Sequence, residues 1–231
     1  YYGFSFHDDY EVFDEILHYR DWDFCQIQYN YMDTQEQAGD KGYALAESLG
    51  VPLVIMEPIK GGSLANFSED INDRFHKMDP DRSVASYALR WVGSHPNVKV
   101  ILSGMSTMDQ VEDNLKTFQD FSPLSEAEEK EIESIVTELR SRVQNGCTGC
   151  RYCMPCPAGV NIPGNFKVWN NYHMYRTYDH VKWSWEKELK EEEKAKNCIK
   201  CGKCETLCPQ KLSIRDNLVQ VQKDLDERIF K

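Results

Sequence analysis

The chain has little positive charge to spare. Its 27 lysines and arginines face 38 aspartates and glutamates, a formal net charge of -11. No basic excess exists to neutralise phosphates, which excludes a nucleic-acid partner. No run of 18 apolar residues occurs, so no helical membrane span is expected. Neither G-x-G-x-x-G nor G-x-x-x-x-G-K appears, which removes both standard phosphate loops. No secretory segment is visible, and disulfides need the oxidising compartment such a segment leads to. The chain also opens without an initiator methionine, directly in the strand-like run Tyr1-Tyr2-Gly3-Phe4-Ser5-Phe6. A chain of this kind is expected to be a piece of a longer one.

Cysteine is what the sequence does have. Eight of its nine cysteines fall in two runs. The first is Cys147-Thr148-Gly149-Cys150-Arg151-Tyr152-Cys153-Met154-Pro155-Cys156-Pro157. The second, Cys198-Ile199-Lys200-Cys201-Gly202-Lys203-Cys204-Glu205-Thr206-Leu207-Cys208-Pro209, has the C-x2-C-x2-C-x3-C-P spacing of iron–sulfur ligation. The first run is one residue shorter before its fourth cysteine. Three closely spaced thiolates converge on one cube, and the cysteine before proline reaches the other. That rule assigns Cys147, Cys150, Cys153 and Cys208 to one [4Fe–4S] cluster and Cys198, Cys201, Cys204 and Cys156 to a second. Eight thiolates also suffice for two zinc ions, but two triplets each followed by Cys-Pro fit that less well. The thiolates point to a reducing or anaerobic cytoplasm. Two roles stay open: relaying single electrons, or cross-linking a domain with little core. Cys25, outside the runs, is expected to be a small buried apolar residue.

The 231 residues allow two modest domains. Up to about residue 120 strands and helices alternate. Strands are expected at 2–6, 24–29, 53–56 and 98–102, the third an apolar run covered on both faces. The first helix carries Tyr10, Val12, Phe13, Ile16 and Leu17. The second, near 36–49, carries Ala38, Tyr43, Leu45, Ala46 and Leu49, and Gly50 closes it. After an irregular stretch, a third begins at Pro80 with Asp79 as cap and Val84, Tyr87, Ala88 and Trp91 inward. The fourth has a Thr107–Gln110 capping box, with Val111, Leu115 and Phe118 inward. Four such units fit an open doubly wound sheet or part of a (β/α)8 barrel. Polar residues gather at the strand ends: Ser5, His7, Gln26, Gln28, Asn30, Glu57, Lys60 and Ser103. Gly61, Gly62 and Gly104 permit close backbone approach, and the helix start near Thr107 offers N–H groups to a phosphate. The same residues also serve as ordinary turn chemistry.

Beyond residue 121, Ser125 and Glu128 start a helix that runs to about Val143, with Ile132, Ile135, Val136, Leu139 and Val143 on one face. Between the cysteine runs, Phe166, Trp169, Tyr172, Met174, Tyr175 and Tyr178 are spaced for a helix that walls off the clusters. A charged helix is expected over 183–196, docked by Trp183, Trp185 and Leu189. A last one near 213–229 bears Leu218, Val221, Leu225 and Ile229.

Four stretches carry a resemblance. Gly3-Phe4-Ser5-Phe6-His7, Gln26-Ile27-Gln28-Tyr29-Asn30, Met56-Glu57-Pro58-Ile59-Lys60-Gly61-Gly62 and Ser103-Gly104-Met105-Ser106, with Glu112-Asp113-Asn114, resemble the later half of an aldo/keto reductase. With the cysteine runs, the chain is similar to the branch that carries a C-terminal 4Fe–4S domain. The resemblance implies strands five to eight of a (β/α)8 TIM barrel in residues 1–122 and an all-helical ferredoxin-like domain in 123–231. The family's acid–base aspartate, tyrosine, lysine and histidine belong to the earlier half, so no catalytic residue is assigned here. His7 is not the family histidine, and Tyr29 and Tyr31 are expected to be packing or pocket wall.

A nicotinamide cofactor, NADP or NAD, is implied, with Ser5 and Gln26 on its carboxamide. Pro58, Lys60, Gly61 and Gly62 correspond to the loop over the pyrophosphate, and Gly104 and Met105 to a second phosphate loop. Asp113 and Asn114 match the pair that holds the adenine. Met56 stands for the usual stacking aromatic ring, and Gln110 for an arginine that often grips the 2′-phosphate. These departures weaken any preference for NADPH and leave open NADH, another cofactor or none. Two functions follow: a carbonyl/alcohol oxidoreductase with a small-molecule substrate and a redox partner, or an electron-transfer or scaffold protein whose barrel half is not catalytic. Open sheet edges need partners. If the 231 residues are the whole chain, they are expected to pair as a homodimer or with an N-terminal region from another chain.

Overall fold

The structure, a computed structural model, describes residues 1–229. The strand-like runs become β1 (Gly3–Ser5), β2 (Phe24–Gln28), β3 (Leu53–Met56) and β4 (Val98–Ile101). They pair in parallel in the order β1-β2-β3-β4, with an irregularity in register at Leu53/Val54. A doubly wound sheet needs a point where strand order reverses. This sequential order has none among the described residues, and it is the order that a barrel wall follows.

Side chains alternate across each strand. Cys25, Ile27, Leu53 and Ile55 are fully buried on one face, in a core with Phe13 and Leu17 of α1 (Tyr10–Tyr19) and Ala46 of α2 (Gly39–Ser48). Each such large apolar side chain contributes about 1.5–3 kcal/mol through burial. The opposite face carries Ser5, Gln26, Gln28, Val54 and Met56, which are exposed or half-buried. That corrects the expectation of a third strand covered on both faces: helices cover only one.

Residues 63–80 are not irregular throughout. Glu69–Met78 forms α3, burying Ile71 and Phe75. Asp79 ends this helix instead of capping the next, and α4 starts later, at Val84–Gly93, because the Ser83 hydroxyl accepts from the Ser86 N–H. Val84, Tyr87 and Ala88 are buried as expected, while Trp91 is half-buried. In α5 (Met108–Gln119) the Thr107–Gln110 capping box is present. Leu115 and Phe118, expected inward, are 63% and 41% exposed.

The chain divides into two compact units, Tyr1–Val136 and Thr137–Lys231. The division falls inside α6 (Glu126–Ser141), not before it as the sequence boundary at 122/123 had it. Arg90 explains why the start of α6 belongs with the first unit. Only 3% exposed, its guanidinium pairs with both Glu128 carboxylate oxygens at 2.6 and 3.1 Å and donates to the Ser122 and Pro123 carbonyls. Burial alone would raise the Glu128 pKa, but the hydrogen bonds from Arg90 and Ser125 hold it at about 2.

The second unit is all-helical, and it has a core of its own. In α7 (Ile162–Tyr175) the residues Phe166, Trp169 and Tyr175 are buried. Trp185, Leu189, Ile214, Leu218, Val221 and Leu225 join that core, and six cluster cysteines pack against or within it. The expected helix over 183–196 is instead broken. Following α8 (Tyr178–Trp183) come a π-helical turn at Ser184–Glu188 and two single 3-10 turns. Trp185 and Leu189 dock; Trp183 is 56% exposed. The short α9 (Lys203–Leu207) precedes α10 (Ile214–Val221), which continues as a π-helical stretch to Ile229, whose side chain lies outside the described residues.

Candidate cofactor cleft and cysteine centres

Two loops at the carboxyl ends of β3 and β4 face one another across a cleft of about 660 Å³. Pro58, Gly61 and Gly62 come from the first loop, Gly104 and Met105 from the second, and Asp113 and Asn114 from α5. Seven of the ten residues expected to hold a cofactor therefore line one cavity, of the size that small-molecule sites have. Gly62 shows why glycine stands there: its φ is +95°, and a Cβ would project into open space, on the side where a ligand can approach. Glu57 and Lys60 also have positive φ, 55° and 49°. Such backbone in non-glycine residues clusters at functional sites. Ser103 Oγ accepts from Asn114 at 3.0 Å, and Asp113 accepts the Ser83 hydroxyl at 2.6 Å. Neither serine partnership was anticipated, since each spans the gap between two elements.

Ser5 and Gln26 lie on the open face of the sheet and meet Met56, which itself lines the cleft. Gln26 Nε2 donates to Ser5 Oγ at 3.4 Å and lies 3.6 Å from Met56 Sδ. Lys60 is turned away from the cleft. Its ammonium sits between the two oxygens of Asp33 at 2.6 and 2.7 Å, and Asp33 also accepts from Gln28 and Asn30. Asp33 was missed because a lone aspartate after a strand carries no motif. Tyr29 is buried and donates to Asp40 at 2.7 Å; burial and that carboxylate push its pKa up. Tyr31 is buried as well, and both pack against Trp91. Cys25 is fully buried, and desolvation pushes its thiol up to about 12.

The cysteine runs fold alike. Gly149 and Lys200, each before the second cysteine of its run, have φ of 72° and 55°; Arg151 and Gly202, each just after it, have 64° and 81°. These left-handed residues curl each run so that its thiols line a hollow. One cavity is lined by Cys147, Cys150, Cys153 and Cys208. A second is lined by Cys156, Cys198, Cys201 and Cys204, with Cys153 at its edge. All nine cysteines are free thiols.

The donor set fits a thiolate-bound cluster. Four thiolates on one zinc would stand about 3.8 Å apart, from a Zn–S bond of about 2.3 Å. A four-iron cube is a larger body, and it needs ligands spread around a hollow. Burial raises the Cys147, Cys153 and Cys204 thiols above their ordinary value. Metal binding therefore has protons to displace.

The model of the aldo/keto reductase family matches residues 1–137. The chain belongs to the aldo/keto reductase family. A 4Fe-4S dicluster domain follows at residues 146–212, so the two-part architecture holds. Among solved structures the chain is similar to aldo-keto reductase AKR11C1 from Bacillus halodurans. The holo form is 23% identical, over 58% of this chain and 49% of that one, with a TM-score of 0.46. For the apo form the values are 23%, 58%, 50% and 0.47. The thermostable aldo-keto reductase Tm1743 bound to the inhibitor epalrestat gives 21%, 58%, 47% and 0.45. This chain spans about half the length of these relatives. No curated protein matches it. Among the described residues, no helix is long and apolar enough to cross a membrane.

Proposed function

We propose that this chain is the later half of an aldo/keto reductase barrel, strands five to eight, joined to a module for two [4Fe–4S] clusters. It would act in nicotinamide-dependent carbonyl/alcohol redox in the cytoplasm. The observation that carries this is the cleft, in which two loops and a helix bring Pro58, Gly61, Gly62, Gly104, Met105, Asp113 and Asn114 together. The glycine loops give a pyrophosphate room beside the backbone, and the start of α5 supplies the favourable end of a helix dipole. Gln26 and Ser5 present amide and hydroxyl groups to a carboxamide on the open sheet face. Lys60, locked on Asp33, positions the β3 loop rather than gripping phosphate.

The clusters would be held by Cys147, Cys150, Cys153 and Cys208 and by Cys156, Cys198, Cys201 and Cys204. When bound, they supply one-electron transfer, whereas a hydride carries two. Coupling the two sites therefore needs a flavin, a radical step or two sequential transfers, and a redox partner. Cytoplasmic placement rests on the eight thiols.

The alternative for this chain by itself is an electron-transfer or scaffold role, since the family's acid–base residues belong to the earlier half of the barrel. Anaerobic purification followed by titration with NADH and NADPH, together with iron and acid-labile sulfide counts, tests both sites. About eight irons and a saturable dinucleotide signal are expected. Dinucleotide binding without iron overturns the cluster module, and iron without dinucleotide binding leaves the second role.

A further inference from the structure

The charges along the cleft distinguish between the two common nicotinamide dinucleotides. They differ only in the adenosine ribose: NAD(H) has a free 2′-hydroxyl, and NADP(H) a 2′-phosphate. Dinucleotide sites separate them by charge, an acidic side chain accepting from the hydroxyl or an arginine meeting the phosphate.

Here the wall of the cleft contains two carboxylates, Glu57 and Asp113, and among the described residues no lysine or arginine lines it. The cations nearest in the chain are engaged elsewhere. Lys60 is held by Asp33 at 2.6 Å, Arg82 pairs with Asp79 at 3.1 Å, and Lys116 donates to the Asp81 carbonyl at 3.0 Å. Met105 is an apolar side chain, 43% exposed. Gln110 is neutral and occupied, its Oε1 accepting the Ser106 and Thr107 N–H groups at 2.7 and 3.3 Å. A phosphate monoester brings a charge of about -1.5 to -2 at neutral pH. Placed against carboxylates without a counter-cation, it is repelled. A ribose hydroxyl, by contrast, needs an acceptor, and an ionised carboxylate is acceptor-only. The Ser83 hydroxyl, donating to Asp113 Oδ2 at 2.6 Å, fixes that carboxylate at the wall.

We propose that the cleft takes the dinucleotide with a free 2′-hydroxyl, NAD(H), and discriminates against the 2′-phosphorylated form. This rests on the dinucleotide assignment of the cleft, so the test separates the two. The chain is titrated with NADH and with NADPH by equilibrium binding, and the Met105→Lys variant is titrated in parallel. NADH should bind at least about tenfold more tightly, and Met105→Lys should move the NADPH-to-NADH affinity ratio about tenfold toward NADPH, the size of one charge-assisted contact. That gain should weaken with added salt. Equal or tighter NADPH binding by the unaltered chain overturns the preference and leaves the site standing. Binding of neither at about 1 mM, a free energy of only about 4 kcal/mol, overturns the site as well.

Discussion

The two units organise their chemistry in opposite ways. In the first, residues far apart in sequence are carried to the ends of parallel strands, and the cleft depends on the sheet being in place. In the second, the cysteines come in short curls of left-handed turns, three from one run and a fourth from the other lining each hollow. Of the two roles left open for the clusters, cross-linking supposed a domain with little core. The second unit instead buries Phe166, Trp169, Trp185, Leu218 and Leu225. Cys204 is buried within that core, five more of the eight cysteines pack against it, and Cys150 and Cys201 are exposed.

The sharpest way to break this contrast is to remove single thiols. Cys208→Ala and Cys156→Ala lie in opposite runs, and each should deplete only the centre formed mainly by the other run. Iron should fall from about eight to about four per chain in either variant, the content of one [4Fe–4S] centre. The two variants should lose spectroscopically distinct centres, readable by electron paramagnetic resonance after reduction. Loss of the same centre by both would refute the crossed assignment. Dinucleotide binding to the cleft should survive in both, because the first unit has its own core.

Next in size is the pair that ties the start of α6 to the first unit. Removing one partner of a buried ion pair costs about 3–5 kcal/mol. Arg90→Ala should therefore lower the denaturation midpoint markedly, while Glu128→Gln, which keeps the shape, should cost less. The Glu128 carboxyl lies below its unfolded value of 4.5, at about 2. Its stabilisation is present above pH 4.5 and is lost as the pH falls toward 2. The acid-unfolding curve of Glu128→Gln should converge with that of the unaltered chain across this window. A constant gap down to pH 2 would mean that ionisation of Glu128 contributes nothing.

How much of this was legible in the sequence depended on how far each interaction reaches. Strand positions and the Thr107–Gln110 box follow from neighbours a few residues apart, and they were read correctly. Helix α3 was missed because Ile71 and Phe75 are its only fully buried residues, too sparse a stripe to show a period. Pro80 attracted a helix start that Ser83 provides. Leu115 and Phe118 lie at helical spacing, but periodicity says which face is apolar and not whether anything covers it. Lys60 was drawn to the pyrophosphate by its place in a motif, and Asp33, 27 residues away, claims it instead.

Lys60 leads to a smaller test within the first unit. A phosphate-gripping lysine and a positioning lysine respond differently to removal of the partner. Asp33→Asn takes away the anion that orients Lys60 while keeping hydrogen-bonding capacity for Gln28 and Asn30. With Lys60 as a positioning residue, the variant should weaken dinucleotide binding by a few-fold and loosen the loop to limited proteolysis, at about 1–2 kcal/mol of local stability. A lysine already serving the phosphate would leave the loop's protection unchanged.

Cys25 provides the smallest effect and the cleanest contrast with the cysteine runs. It is a thiol in the same chain, 0% exposed and with its pKa pushed up to about 12 by burial. Thiolate is the reactive form, and at neutral pH almost none exists at this position. In the folded, cluster-free protein an alkylating reagent should label the exposed Cys150 and Cys201 first and spare Cys25 until denaturant is added, as peptide mass mapping would show. Cys25→Ala should then cost only about 1 kcal/mol, the loss of one small buried group, and change neither iron content nor dinucleotide affinity. Early labelling of Cys25 would mean that the face shared by β2 and α1 opens readily, and that the first unit owes its order to something beyond its own core.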